Sequence, residues 1–375
     1  MSNHMAVPVL GGVPVPLVGR GRLYVCGITP YETTHLGHAA TFVWADVAAR
    51  VLRITGAEVE VCRNITDVDD VLYRQAERDH TSSRSLAAQQ TYRFEADMAA
   101  LGVGRPAYEP HARDYVEDVV ALATALLATG TAYERDGTVW FRGEHVPAAA
   151  GIGDDEARAA LTAEAADHGW EPMAPYDVPV WQPARAGAPA WPSPWGAGRP
   201  GWHAECAAMA LALLGPGVDV HSGGDDLTFP HHAYEAAMAE AATGVRPFAR
   251  AWLRIGSVRR DGVRMAKSTG NLVLVHDLLE RWEPEVIRLL LLDRRHGDPW
   301  DFDEGALDAA ADRFDRLWGA AGRSSPNPEA ARAGVRDALL DNLAVPRALD
   351  IAEAEGGAAA RDLAGILGLV PSPLR

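Results

Sequence analysis

The chain has 375 residues, of which 48% are hydrophobic and 23% are charged, and this composition excludes a collagen-like, disordered or coiled-coil protein. The formal net charge of −16 disfavours a nucleic-acid surface, and three widely spaced cysteines disfavour a disulfide framework. Because no segment has the pattern of a membrane span or a secretory signal, we expect a cytoplasmic protein with no membrane partner.

The first half of the chain predicts a parallel βαβ unit followed by several helices. A strand at 22–27, a helix at 34–52 and a second strand at 58–62 follow one another in the order typical of such a unit. Further on, the patterns predict helices at 68–78, 85–101 and 112–129, a hairpin at 133–141 with Asp136-Gly137 at its turn, and an irregular loop at 172–200.

The second half predicts more α/β structure and then helices alone. In chain order we expect a helix at 202–214, a strand at 218–221, a helix opened by Pro230, a strand at 252–258 and helices at 303–320, 329–342 and 346–367. The sequence therefore predicts the α/β class, with a small helical part at the C-terminal end.

The first motif with chemical content is His35-Leu36-Gly37-His38, at the start of a predicted helix. A helix N-terminus attracts phosphate, and two histidines one turn apart can both reach a phosphate chain. On its own, the pattern is a weak signal, and two surface histidines on a helix are the more common explanation.

The second motif is the segment 264–268 (RMAKS), which contains Lys267, the only lysine among 35 basic residues. A compact ammonium is suited to stabilising charge on a transferring phosphate. The alternative interpretation is an ordinary solvated loop.

The third set is Cys26, Cys206, His231 and Glu235, whose side-chain types all suit zinc. Their spacing matches no zinc finger, and from spacing alone the cysteines are better interpreted as buried structural residues. The fourth motif, 221–230, has a Gly-Gly pair beside acidic residues, a pattern typical of a ribose site or of a tight turn capped by Asp.

Taken together, the motifs resemble those of the class I aminoacyl-tRNA synthetases, and in detail those of the cysteinyl branch. The segments that carry this resemblance are 24–31 (YVCGITPY), 63–70 (RNITDVDD), 201–209 (GWHAECAAM) and 223–232 (GGDDLTFPHH). Within that branch the chain is most similar to the mycothiol cysteine ligases, which join cysteine to glucosaminyl-inositol. This resemblance extends over 7–369.

The resemblance implies a Rossmann-like parallel sheet in a catalytic domain at 7–300, with an inserted connective region at about 85–200. A small helical domain at 301–375 would follow. Because the chain has no room for the anticodon-reading domain of a cysteinyl-tRNA synthetase, no tRNA partner is expected. The implied substrates are L-cysteine, ATP with Mg²⁺ and a small amine.

The implied reaction forms cysteinyl-adenylate and then transfers cysteine to the amine of glucosaminyl-inositol. By resemblance, His35, His38 and Lys267 are catalytic. The implied substrate-binding residues are Cys26, Gly27, Thr29, Thr41, Asn64, Thr66, Trp202, Gly224, Asp226 and Val258. The implied zinc ligands are Cys26, Cys206 and His231, and Glu235 is either a fourth ligand or a neighbour of the site.

The chain departs from the family pattern at several points. The loop reads RMAKS, the metal-ligand helix reads HHAYE, and 168–172 (HGWEP) hardly matches the acidic Gly-rich segment of mycothiol ligases. The last difference lies where an acceptor could bind, so a ligase for another amine stays an alternative. A truncated cysteinyl-tRNA synthetase and a non-catalytic synthetase-like protein are also compatible with the sequence.

Overall fold

Strands and helices alternate along most of the chain. The structure is a computed structural model and describes residues 7–31, 33–265 and 269–371. The first elements are β1 (Val9–Leu10), β2 (Val13–Pro14), β3 (Arg20–Ile28), α1 (Leu36–Arg53), β4 (Glu58–Ile65), α2 (Asp70–Arg78), α3 (Ser83–Ala100) and α4 (Val116–Ala128). The next are β5 (Ala132–Arg135), β6 (Thr138–Phe141), α5 (Val146–Ala150), α6 (Asp154–His168), β7 (Val178–Pro183), β8 (Gly198–Pro200), α7 (Trp202–Leu214), β9 (Val218–Gly224), α8 (Ala233–Thr243) and β10 (Ala249–Ile255). The last are β11 (Val258–Arg260), β12 (Val263–Arg264), α9 (Val275–Leu279), α10 (Pro284–Leu292), β13 (Trp300–Asp301), α11 (Gly305–Ala321), α12 (Pro328–Leu340), α13 (Val345–Glu355) and α14 (Gly357–Leu367).

A four-stranded parallel sheet in the order β10-β9-β3-β4 forms the centre of the fold. Leu23 of β3 pairs with Val61 of β4 on one side and with Val220 of β9 on the other. The connection from β3 leads to β4 on one side of the sheet, and the connection from β9 leads to β10 on the other side. The direction of winding therefore changes between β3 and β9. In such sheets ligands bind in the crevice at the carboxyl ends of the strands where the order changes.

Helix α1 crosses the sheet and starts at its carboxyl edge. His35 caps the helix, because its Nδ1 accepts a hydrogen bond of 3.1 Å from the backbone N–H of Gly37. The apolar residues of α1 are buried, and Asp46 on the same helix forms an ion pair with the fully buried Arg288. The helix N-terminus is therefore held directly above the crevice.

An antiparallel sheet in the order β5-β6-β7-β8 lies between β4 and β9 in the sequence and packs with α4 and α7. The predicted hairpin is confirmed, with positive φ at both Asp136 and Gly137. The predicted irregular loop at 172–200 is wrong over β7 and β8. Prolines obscured the pattern, whereas the buried Val178 and Val180 of β7 provide a strand core.

Several element boundaries differ from the prediction. The turn Thr228–His232 that precedes α8 is broken at Phe229, whose backbone is extended (φ −145°, ψ 134°), so the helical run that continues into α8 starts at Pro230, as predicted. The predicted strand at 252–258 is two strands, β10 and β11, that belong to different sheets. Helix α6 was not predicted at all.

Helices α11 to α14 pack against one another and against α1 and α10. Their buried apolar residues belong to the same core as one face of the parallel sheet, for example Leu317 and Leu363 with Val43. The predicted domain boundaries at 300/301 and at 85–200 stay predictions. Over the described residues, no helix has both the length and the apolar character that crossing a membrane requires.

Candidate active site

A cavity of about 1100 Å³ opens at the carboxyl ends of β3 and β9, where the direction of winding changes. Most of the residues predicted to bind substrate or to act in catalysis line it. They are Cys26, Gly27, Thr29, His35, His38, Thr41, Asn64, Thr66, Trp202, Cys206, Gly224, Asp226, His231 and Val258. Glu235 is fully buried next to the cavity, and Lys267 lies outside the described residues.

The two histidines at the N-terminus of α1 face one another, with ring centroids 3.8 Å apart and an interplanar angle of 29°. Burial lowers the pKa of His35 to about 3 and that of His38 to about 4. Both rings are therefore neutral at physiological pH and can present N–H donors to a phosphate. A Cβ on Gly37 would lie 2.9 Å from the His35 ring, so this position favours glycine.

Another side of the cavity is the end of β9, where acidic side chains lie beside backbone groups. Asp225 accepts a hydrogen bond of 3.2 Å from the backbone N–H of Ser257. The next residue, Asp226, faces the guanidinium of Arg264 at 2.6 Å. A Cβ on Gly224 would lie 2.3 Å from Asp226 Oδ1, so glycine is required for this carboxylate to take its position. The arrangement suits a ribose, whose hydroxyls can donate hydrogen bonds to a carboxylate.

The floor between these two sides is formed by β3 and β4. The backbone N–H of Gly27 donates to Asn64 Oδ1 at 2.8 Å, and a Cβ on Gly27 would lie 1.6 Å from the Asn64 carbonyl oxygen. Thr29 and Thr66 share a hydrogen bond of 2.7 Å between their hydroxyls. These contacts connect the two strand ends and fix the polar groups of the floor.

Cys26, Cys206 and His231 bring their ligand atoms within 4.8 Å of one another. His231 Nε2 lies 3.3 Å from Cys206 Sγ, and Asn64 Nδ2 lies 3.1 Å from the same sulfur. All three candidate ligands are buried, and burial raises the pKa of the Cys26 thiol well above its usual value. A thiolate here therefore requires a nearby cation. Two thiols and an imidazole are a donor set that fits zinc.

A second group that could hold a metal shares Cys26 and adds His221, His232 and Glu235. Both carboxylate oxygens of Glu235 lie 3.0 Å from His221 Nε2, and Oε2 lies 3.6 Å from Cys26 Sγ. Sequence reasoning did not assign His221 or His232 to a metal group. The only available signal was the position of His232 next to His231.

Outer contacts orient His231. Its Nδ1 lies 2.9 Å from Nδ1 of His203, and the other ring nitrogen of His203 lies 2.9 Å from Glu164 Oε1. The indole of Trp202 stacks on the His231 ring at 4.0 Å. Such contacts set the direction and basicity of a metal-ligating histidine. Sequence reasoning missed His203, although its i, i+3 spacing to Cys206 puts both on one helix face.

The chain matches known proteins along most of its length. Residues 17–312 match the family described as tRNA synthetases class I (C) catalytic domain. The chain is 42% identical over 360 residues to an L-cysteine:1D-myo-inositol 2-amino-2-deoxy-α-D-glucopyranoside ligase of Frankia casuarinae, covering 94% of this chain and 77% of that protein. The protein of the same name from Mycobacterium marinum is 42% identical, with 90% of this chain and 84% of that protein covered.

More distant matches agree in fold. A cysteine–tRNA ligase of Syntrophobacter fumaroxidans is 39% identical over 323 residues, and the match covers 86% of this chain but 65% of that longer protein. The methionyl-tRNA synthetase of Mycobacterium tuberculosis superposes with a TM-score of 0.65 at 16% identity, over 94% of this chain and 82% of that chain, which shows the fold alone. The predicted α/β class is thus confirmed, and the chain belongs to the family of class I tRNA synthetase catalytic domains of the cysteine type, together with the L-cysteine:1D-myo-inositol 2-amino-2-deoxy-α-D-glucopyranoside ligases.

Proposed function

We propose that the protein is an ATP-dependent, AMP-forming ligase that activates L-cysteine as cysteinyl-adenylate and transfers it to the amine of glucosaminyl-inositol. One observation carries the proposal. A single cavity brings together the histidine pair at the N-terminus of α1, the carboxylate at the end of β9 and the buried thiol–imidazole group. These are the parts needed for a triphosphate, a ribose and a sulfur-bearing amino acid.

In the first step the cysteine carboxylate attacks the α-phosphorus of ATP, which enters with Mg²⁺, and pyrophosphate leaves. His35 and His38 donate hydrogen bonds to the phosphate oxygens, and Lys267 of the RMAKS loop adds positive charge as the bond to pyrophosphate breaks. Asp226 and Gly224 hold the ribose, and Val258, buried and lining the cavity, packs beside the adenine. Fixing these groups relative to one another supplies most of the remaining rate enhancement.

Selection of cysteine rests on the buried thiol–imidazole group. We propose that Cys26, Cys206 and His231 hold zinc and that Glu235, buried beside Cys26, completes the set. Bound zinc supplies a soft Lewis acid that prefers a thiolate to a hydroxyl. Thr29 and Thr66 line the cavity beside this group and shape the space around the amino acid, together with Trp202.

In the second step the acceptor nitrogen attacks the activated carbonyl, the C–O bond to AMP breaks and an amide forms. Support for this acceptor comes from the ligases that are 42% identical over at least 90% of the chain. The net charge of −16 supports a small amine in preference to tRNA. Because ATP is an intracellular substrate, we propose a cytoplasmic location.

The test is to incubate the zinc-loaded protein with ATP, cysteine and glucosaminyl-inositol, and to follow AMP and the amide by mass spectrometry. We expect the amide at a multiple-turnover rate, and about 100-fold less product when serine replaces cysteine. Pyrophosphate release without the amide would contradict the acceptor and favour another amine. Absence of cysteine-dependent pyrophosphate release would contradict the activity as a whole.

A further inference from the structure

One flank of the cavity is used by none of the groups assigned to cysteine or ATP. It is formed by helix α2 and by the C-terminal end of α6, two elements that are far apart in sequence. Most of the side chains that line this flank are polar, and they carry both charges, among them Arg74, Gln75 and Asp167. Arg74 also donates a hydrogen bond to the backbone carbonyl of Asp167, which joins the two helices. A mixed polar wall of this kind suits a polyhydroxylated ligand.

His168 stands where this flank meets the cysteine pocket. Its ring stacks on the indole of Trp202 at 5.1 Å and 21°, and Trp202 in turn stacks on His231 at 4.0 Å. Trp202 therefore separates the imidazole of the metal group from that of His168 by the thickness of one ring. An acceptor on the α2–α6 flank would meet His168 directly beside the activated cysteine.

The ring of His168 is oriented by a buried carboxylate. Asp69 Oδ2 lies 3.5 Å from His168 Nδ1, at ion-pair distance, while Oδ1 of Asp69 accepts a hydrogen bond of 2.6 Å from the backbone N–H of Val71. The carboxylate is thus fixed as the cap of α2, and its charge favours a proton on Nδ1 of His168. In the part of the chain that the structure describes, no residue forms a hydrogen bond with Nε2. The lone pair on Nε2 is then available to a ligand.

We propose that His168 binds the acceptor amine and accepts its proton during amide formation, with Asp69 as the positioning residue. The inference rests on the proposed ligase function and specifies its acceptor as an aminated polyol held on the α2–α6 flank. As the N–C bond forms, the C–O bond to phosphate breaks and AMP leaves with the electron pair. The proton lost by the nitrogen passes to Nε2 of His168, whose side chain is 13% exposed and releases it to solvent.

Two features of the structure stabilise the imidazolium that this step produces. The first is the carboxylate of Asp69. The second is the position of His168 as the last residue of α6, where the carbonyl end of the helix dipole favours a cation. Gly169 follows with φ +67 and ends the helix there, so the histidine stays in the last turn.

The experiment compares wild-type protein with His168→Gln in three assays. Cysteine-dependent exchange of pyrophosphate into ATP measures activation. Trapping by hydroxylamine, which is neutral at the assay pH and small, measures attack on the adenylate without a base. Amide formation with glucosaminyl-inositol measures the complete transfer. His145→Gln is the matched control, since His145 is exposed, lies between β4 and β9 in the sequence as His168 does, and does not line the cavity.

We expect His168→Gln to retain wild-type exchange and hydroxamate formation, and to lose about 100-fold in amide formation. His145→Gln should match wild type in all three assays. Equal amide rates for wild type and His168→Gln would overturn the role of His168 and leave the ligase function intact. Wild-type protein that forms hydroxamate but no amide would overturn the proposed acceptor, and the role of His168 with it.

Discussion

The two ends of the cavity differ in how the chain builds them. At the adenylate end, His35 and His38 are three residues apart on one helix, and the ribose corner is a run of adjacent residues after β9. At the acceptor end, His168, Asp69 and Trp202 come from three distant segments. Site residues that lie close together in the sequence can be recognised as a motif, whereas site residues that tertiary packing brings together can be identified only from the fold.

The adenylate end should show the largest effect. We expect His38→Gln to slow cysteine-dependent pyrophosphate exchange by about 10²–10³-fold, because it removes a phosphate donor placed for the transition state. Pre-steady-state quench of pyrophosphate release measures this directly. An exchange rate within a few-fold of wild type would mean that the histidine pair does not contact the reacting phosphates.

The next largest effect should be on the binding of the metal and of cysteine. We expect Cys206→Ser to lose more than about tenfold in affinity for cysteine with little change for ATP, since only cysteine needs the thiol–imidazole group. Titration calorimetry measures the affinities for cysteine and ATP, and elemental analysis measures the bound zinc. Cys62→Ser is the control, because Cys62 is also a buried free thiol but belongs to neither candidate metal group. Equal losses for cysteine and ATP would indicate a folding role instead.

The outer contacts of the metal group should give a smaller effect. His203→Ala removes the imidazole that lies 2.9 Å from His231 Nδ1, and we expect zinc affinity to fall by about tenfold. Competition with a chromophoric chelator measures it. Zinc affinity equal to that of wild type would show that His203 only fills space beside Tyr234, with which it stacks.

The last expected effect is on stability and is confined to acidic pH. Burial lowers the pKa of His38 from 6.5 to about 4. Between these two pH values, His38 is therefore protonated in the unfolded chain but not in the folded chain. The free energy of unfolding should therefore fall as pH drops from about 6.5 toward 4, by up to about 1.4 kcal/mol per pH unit from this group. Urea unfolding at several pH values should show a shallower slope for His38→Gln than for wild type. An identical slope would contradict the burial of a neutral ring.

Much of the fold follows from the sequence, because periodicity and glycine positions report local structure. The βαβ order, the hairpin turn at Asp136-Gly137 and the family are confirmed. The prolines of β7 obscure its strand pattern in the sequence. Helix α6 is not predicted, although its first turn has three acidic residues. The sequence does single out 168–172 as a place where an acceptor could bind, but without α6 it does not show which helix face His168 occupies or which residues surround it.

Site residues could be predicted only at the positions where this sequence matches the motifs of the family that it resembles. The structure gathers the predicted residues it describes around one cavity, with Glu235 buried beside it, and their roles stay predictions. His221 and His232 could not be assigned to a metal group from spacing, because their proximity to Cys26 depends on how β9 and the start of α8 pack beside β3.

We propose that the two ends of the cavity perform separate half-reactions. A single-turnover experiment on wild type, His38→Gln and His168→Gln tests it, with pyrophosphate release and the conversion of preformed cysteinyl-adenylate to amide measured separately. We expect His38→Gln to slow only the first reaction and His168→Gln to slow only the second. If both variants slow the same half-reaction, the separation of the two ends is wrong.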